Sequence, residues 1–173
     1  IHYNIQDIEP YINWIYFYHA WNMNGKPEAE KIKLRGDAEK MLHEWYGNYH
    51  THAVFDVLDA NSDGDDLILN GIRIPMLRQQ KLAADGLPNL CLTDFVRPVS
   101  TCVKDKAGVF ATTVDTELQK KYINDDYKRM MSQVLADRLA EGTAERMHEE
   151  VRREYWGYAP NEKLSMKQTH NEE

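Results

Sequence analysis

Apolar residues recur at intervals of three and four along parts of this chain and form short β-branched runs along others. The clearest helical pattern spans residues 125–156, with Asn124 or Asp125 placed as an N-cap, Gly157 at the end and Pro160 beyond. Its predicted apolar stripe is Tyr127, Met130, Met131, Val134, Leu135, Ala144, Val151 and Tyr155. A shorter amphipathic helix is predicted over 37–46, where Ala38, Met41, Leu42, Trp45 and Tyr46 recur between Gly36 and Gly47. Near the start, Tyr11, Trp14, Phe17 with Tyr18, and Trp21 also keep helical spacing. This predicts a packed aromatic segment, the alternative being a stacking platform for a flat ligand. Strands are predicted over 52–59, 66–70, 72–77 and 108–114. The polar turn between the first two favours an antiparallel hairpin over a βαβ crossover.

One position conflicts with this pattern. At 100° per residue, Glu141 falls within about 40° of Tyr127, Met130 and Val134, so the predicted stripe carries a carboxylate. Glu145 and His148 continue the same line, and Gly142 sits mid-helix at a cost of about 1 kcal/mol relative to alanine. Two readings stay open. Either the helix leaves the core near Glu141 and the stripe turns polar, or the stripe ends at a cleft. In the second reading Gly142 lets another group approach and Glu141 meets a cation or donor.

A length of 173 residues suits one ordinary domain, and no repeat or low-complexity stretch divides it. With 21 Lys and Arg against 28 Asp and Glu, the net charge of −7 argues against a nucleic-acid surface. The longest apolar stretch, around Trp14 to Phe17, falls far short of the roughly 20 residues a bilayer needs. No export signal opens the chain, so the expected setting is the cytoplasm, without a membrane partner. Cys91 and Cys102 have no redox, zinc or disulfide-framework spacing.

Several motifs resemble ligand sites without completing them. Asp59, Asn61, Asp63 and Gly64 match the start of an EF-hand calcium loop, but the closing position is Asn70 and strand-like sequence flanks it. A hairpin turn is the better reading. Glu145-Arg-Met-His148 has the spacing of a di-iron carboxylate motif without the second pair such sites require. His50 and His52 put both rings on one face of a strand, with no third ligand nearby in sequence. No metal and no catalytic nucleophile is assigned.

The segments Asp125-Asp-Tyr-Lys-Arg-Met-Met, Ala136-Asp-Arg-Leu-Ala-Glu141, His148-Glu and Tyr155-Trp-Gly-Tyr-Ala-Pro-Asn-Glu162 form a highly specific run. The run resembles the C-terminal activation domain of cobalamin-dependent methionine synthase. Tyr11-Ile-Asn-Trp14, Gly25-Lys26, Leu77-Arg-Gln-Gln80 and Cys91-Leu-Thr-Asp-Phe-Val96 resemble it in the same order, so the likeness covers essentially the whole chain.

The resemblance implies an α+β fold, with a twisted antiparallel sheet, flanking helices and one long C-terminal helix. It implies S-adenosylmethionine as ligand and a cobalamin (vitamin B12) held by another domain. In that family an electron from a flavodoxin-like reductant and the methyl of S-adenosylmethionine restore methylcobalamin after accidental oxidation to cob(II)alamin. The chain would then be part of a methyltransferase of methionine biosynthesis and would not turn over alone. By position in the family, Glu141 and Glu172 are binding residues for S-adenosylmethionine. Asn13 stands where the family often has Asp, keeping an acceptor oxygen without the charge.

The family continues with an Arg-Pro-x-x-Gly-Tyr-Pro segment, whose Arg holds the methionine carboxylate; this sequence ends at Glu173, before it. Residues 1–173 are therefore expected to be a single activation domain truncated at its C-terminal end. Two other readings remain: a docking module that contacts a corrinoid domain without binding S-adenosylmethionine, and a free-standing activator of another corrinoid methyltransferase.

Overall fold

A computed structural model describes residues 1–81 and 86–162. The chain forms two compact units, one of residues 1–54 with the described residues from Ala111 onward, the other of residues 55–110.

The first unit is built on a helix, here α5 (Asp126–Glu150). Asp125 caps it, its side chain accepting from the Lys128 N–H at 3.0 Å, and a π-helical turn (Val151–Tyr155) extends it to a left-handed Gly157. The helix predicted over 125–156 is thus observed, with its last turn wound more loosely. Its buried face differs from the predicted stripe. Met131, Leu135, Leu139 and Met147 are buried together with the small Ser132, Ala136 and Thr143, whereas Tyr127 is 46% and Met130 41% exposed. The periodicity gave weight to large side chains, but two of them are rim residues. Tyr127 donates its hydroxyl to Asp37 at 3.0 Å and packs its ring against Trp21.

Among the described residues, four α-helices surround α5: α1 (Ile5–Ile8), α2 (Trp14–Ala20), α3 (Glu28–Trp45) and α4 (Glu117–Lys121). They bury Ile5, Ile8, Phe17, Leu34, Ala38, Leu42, Trp45 and Leu118. The α3 helix begins nine residues before the predicted start at 37 and runs through Gly36. Pro27 precedes its first turn, which carries Glu28 and Glu30, and burial of Leu34 and Ala38 offsets the glycine. In the aromatic segment Phe17 is fully buried, and Trp14, Tyr18 and Trp21 are half-buried around it. Most of that segment is packing, as its spacing predicts.

Strand β1 (His2–Asn4) pairs antiparallel with the start of β2 (His50–Asp63), His2 facing His52. In the second unit, the remainder of β2 pairs antiparallel with β3 (Asp66–Leu69), and β3 with β4 (Ile72–Pro75). β5 (Asp105–Val114) also pairs with β2. Asn70 and Gly71 both take positive φ, 46° and 83°, the backbone that a two-residue hairpin turn requires. The predicted first hairpin is present, but its turn is only Gly64-Asp65, because β2 runs on to Asp63. The oxygens suggestive of a calcium loop therefore lie along a strand and engage cations. Asp59 accepts from Lys104 and Lys106 at 2.8 and 2.5 Å, and Arg73 bridges Asp63 and Asp66. The two lysines hold the Asp59 carboxyl at a pKa of about 2.

Among the described residues, no helix is long and apolar enough to cross a membrane.

Candidate functional site

The first unit brings the middle of α5 against the start of the chain. Gly142 makes this possible. A Cβ there would lie 3.1 Å from Ile8 Cγ2 and 3.2 Å from the Tyr11 carbonyl oxygen, tighter than ordinary packing. The group whose approach Gly142 was expected to permit is thus the backbone of Tyr11, two residues ahead of Asn13.

Glu141, the residue before Gly142, is not in the centre of the buried face. It lies about 200° around the helix from the fully buried Leu139. Its side chain is 37% exposed and accepts a hydrogen bond from Arg138 Nη1. Arg138 is 21% exposed, and its guanidinium carbon lies 5.6 Å from the centre of the Tyr16 ring of α2. This corrects the geometric half of the sequence argument: Glu141 is a half-open carboxylate with a cationic neighbour. Asn13 caps α2, its Oδ1 accepting from the Ile15 N–H at 3.1 Å. Glu172 lies outside the described residues. Near Glu141, α5 meets the segment that contains Asn13 through Gly142 against Tyr11 and Arg138 beside Tyr16.

A recess of about 160 Å³ lies between the end of β5 and α5, lined by Thr112, Thr113, Asp115, Thr116, Asp137 and Ala140. Asp137 precedes Glu141 by one turn and shares its side of the helix. Asp115 meets both strand histidines, a partner their spacing alone did not indicate. His52 Nε2 lies 2.7 Å from Oδ1, and the His50 N–H donates to Oδ2 at 2.8 Å. Burial works against the Asp115 carboxylate, but these hydrogen bonds outweigh it and hold its pKa below the usual value.

A network absent from the sequence reading fixes the start of the chain. Tyr11 donates to Glu149 at 2.6 Å and Tyr3 to Glu150 at 2.7 Å, while Arg146 bonds both the Tyr11 hydroxyl and Glu150. Burial first, then these carboxylates, push both phenols above their ordinary pKa. The Tyr11 hydroxyl above all holds Glu149 below its own. These bonds place the segment leading to Asn13 against α5. The signal in sequence was two tyrosines near the start and a helix end dense in Glu and Arg, but pairing them takes the fold.

What this geometry offers is a cation-accepting edge on an α+β domain, with positioning groups around it. The chain belongs to the family described as the activation domain of vitamin B12-dependent methionine synthase, whose sequence model matches residues 4–173. It is also similar to the crystal structure of the MetH reactivation domain bound to AdoHcy, with 34% identity and a TM-score of 0.85. The match covers 99% of this chain and 60% of that one, so this chain spans well under the full length of the solved relative. The α+β fold, with an antiparallel sheet and a long C-terminal helix, agrees with the expectation from the family resemblance.

Proposed function

We propose that this chain is the reactivation module of a cobalamin-dependent methionine synthase. It binds S-adenosylmethionine and presents its methyl group for reductive methylation of a cobalamin held by another domain. The observation that carries this reading is the similarity to a reactivation domain bound to AdoHcy over nearly the whole chain. AdoHcy is what S-adenosylmethionine becomes on losing the transferred methyl. In this reading residues 1–173 act as one activation domain. The chain works in the cytoplasm with the cobalamin domain and a flavodoxin-like reductant, and does not turn over alone.

The residues present suit such a ligand. S-adenosylmethionine carries a sulfonium and an α-ammonium, and a half-open carboxylate is a natural acceptor for the latter. We assign the ammonium to Glu141, with Asn13 as a neutral acceptor and Glu172 as a further carboxylate. The ligand supplies an activated methyl group; the protein supplies binding and orientation. Calorimetric titration of S-adenosylmethionine into the full chain tests the reading. Binding that weakens about ten-fold or more in Glu141→Gln is expected, the size of one charge-assisted contact. Wild-type protein extended through the Arg-Pro-x-x-Gly-Tyr-Pro segment that binds neither S-adenosylmethionine nor AdoHcy would overturn it and leave a docking role.

A further inference from the structure

We infer that Arg138 is a displaceable counter-ion for Glu141: it holds the carboxylate until a ligand's ammonium replaces it, and the ring of Tyr16 retains the released guanidinium. The inference rests on the proposed placement of the S-adenosylmethionine ammonium at Glu141.

Three features of the pair support it. Among the described residues, Glu141 has one hydrogen-bond partner, Arg138. Two carboxylates further along α5 are more heavily committed: Glu149 is bonded by Tyr11 and Arg153, and Glu150 by Tyr3 and Arg146. Second, the carboxylate is the more open member, 37% exposed against 21% for Arg138, so an incoming cation reaches Glu141 without first uncovering the arginine. The pair is also intrinsically weak, because partly exposed ion pairs three residues apart on a helix contribute little. Third, the guanidinium already lies 5.6 Å from the Tyr16 ring, within cation–π range. Rotation away from Glu141 need not cost Arg138 that contact.

The consequence is competition. Wild-type protein must break an ion pair to bind the ammonium, so its affinity falls below what Glu141 alone would give. Breaking a pair of this kind corresponds to about two- to five-fold in affinity. Arg138 is thus a positioning residue: it keeps Glu141 in one orientation when the ligand is absent and selects for ligands cationic enough to displace it.

The test is calorimetric titration of the full chain with S-adenosylmethionine, and with adenosine as a probe lacking the ammonium. Arg138→Gln is expected to tighten S-adenosylmethionine binding about two- to five-fold and leave adenosine binding unchanged. In a Glu141→Gln background the same change should have no effect, and Arg138→Lys should return binding towards wild type. Weaker or unchanged binding in Arg138→Gln, with Glu141→Gln still impaired, would overturn the exchange and leave the proposed function standing. Parallel changes for both probes would mark a structural role and also overturn it. If Glu141→Gln binds as well as wild type, the placement of the ligand falls, and the inference with it.

Discussion

Replacing Gly142 by alanine puts a methyl group where Ile8 and the Tyr11 backbone already stand. The contacts would be 3.1 Å to Ile8 Cγ2, 3.2 Å to the Tyr11 oxygen and 3.3 Å to the Tyr11 carbonyl carbon. Two of these three atoms are backbone in a short 3-10 turn (Glu9–Tyr11), and Tyr11 is anchored further by Glu149 and Arg146. Ile8 is fully buried. The neighbours therefore have little room to retreat. Alanine in a helix interior gains about 1 kcal/mol over glycine, and overpacking costs about 1–3 kcal/mol, so the net effect is a loss of roughly 0–2 kcal/mol. Gly36 in α3 is the internal control, since a Cβ there meets nothing within 4 Å. Gly36→Ala should raise stability by up to about 1 kcal/mol. Urea unfolding followed by circular dichroism compares the two. Equal stabilisation by both substitutions would refute the argument that Gly142 exists to admit Tyr11. A further readout follows from position: because the displaced backbone leads to Asn13, Gly142→Ala should also weaken S-adenosylmethionine binding.

Two other outcomes follow from the packing and the hydrogen bonds. Leu139→Ala should cost about 2–5 kcal/mol and Met130→Ala under about 1 kcal/mol, because only the former residue is fully buried; the reverse order in urea midpoints would restore the stripe predicted from sequence. Tyr11→Phe should lower stability by about 1–2 kcal/mol at pH 7 and by progressively less below about pH 4. Glu149 has a folded pKa held down by Tyr11, so its stabilisation is present above the unfolded value and is lost as pH falls through the folded one. Equal losses at pH 7 and pH 3 would contradict that linkage.

The features readable in sequence were those set by local chemistry. The cap at Asp125 and the stop at Gly157 delimit the long helix, the polar turn before Asp66 marks an antiparallel hairpin, and the close approach at Gly142 is one of the two readings its missing side chain left open. Where distant parts of the chain decide the outcome, sequence pattern fell short. Gly36 marked a helix start only while the burial of Leu34 and Ala38 on either side of it was unknown. The buried face of α5 is centred on Leu139 because α1, α2, α3 and α4 pack around it, and none of that appears in the spacing of α5 itself. The Tyr11–Glu149 bond joins residues 138 positions apart. Glu141 emerged for a reason the structure revises: family position singles it out, but its environment is a half-open ion pair rather than a buried stripe.

In the proposed function this domain delivers a methyl group from S-adenosylmethionine to cobalamin. The most direct measurement uses the intact enzyme carrying this chain, with its cobalamin oxidised and a flavodoxin-like reductant supplied, and follows isotope from S-adenosylmethionine labelled in the methyl group. Label is expected to enter the cobalamin fraction stoichiometrically with AdoHcy release, and Glu141→Gln is expected to slow this at sub-saturating ligand. Cobalamin that regains activity without acquiring label, or label transfer indifferent to removal of this domain, would contradict it.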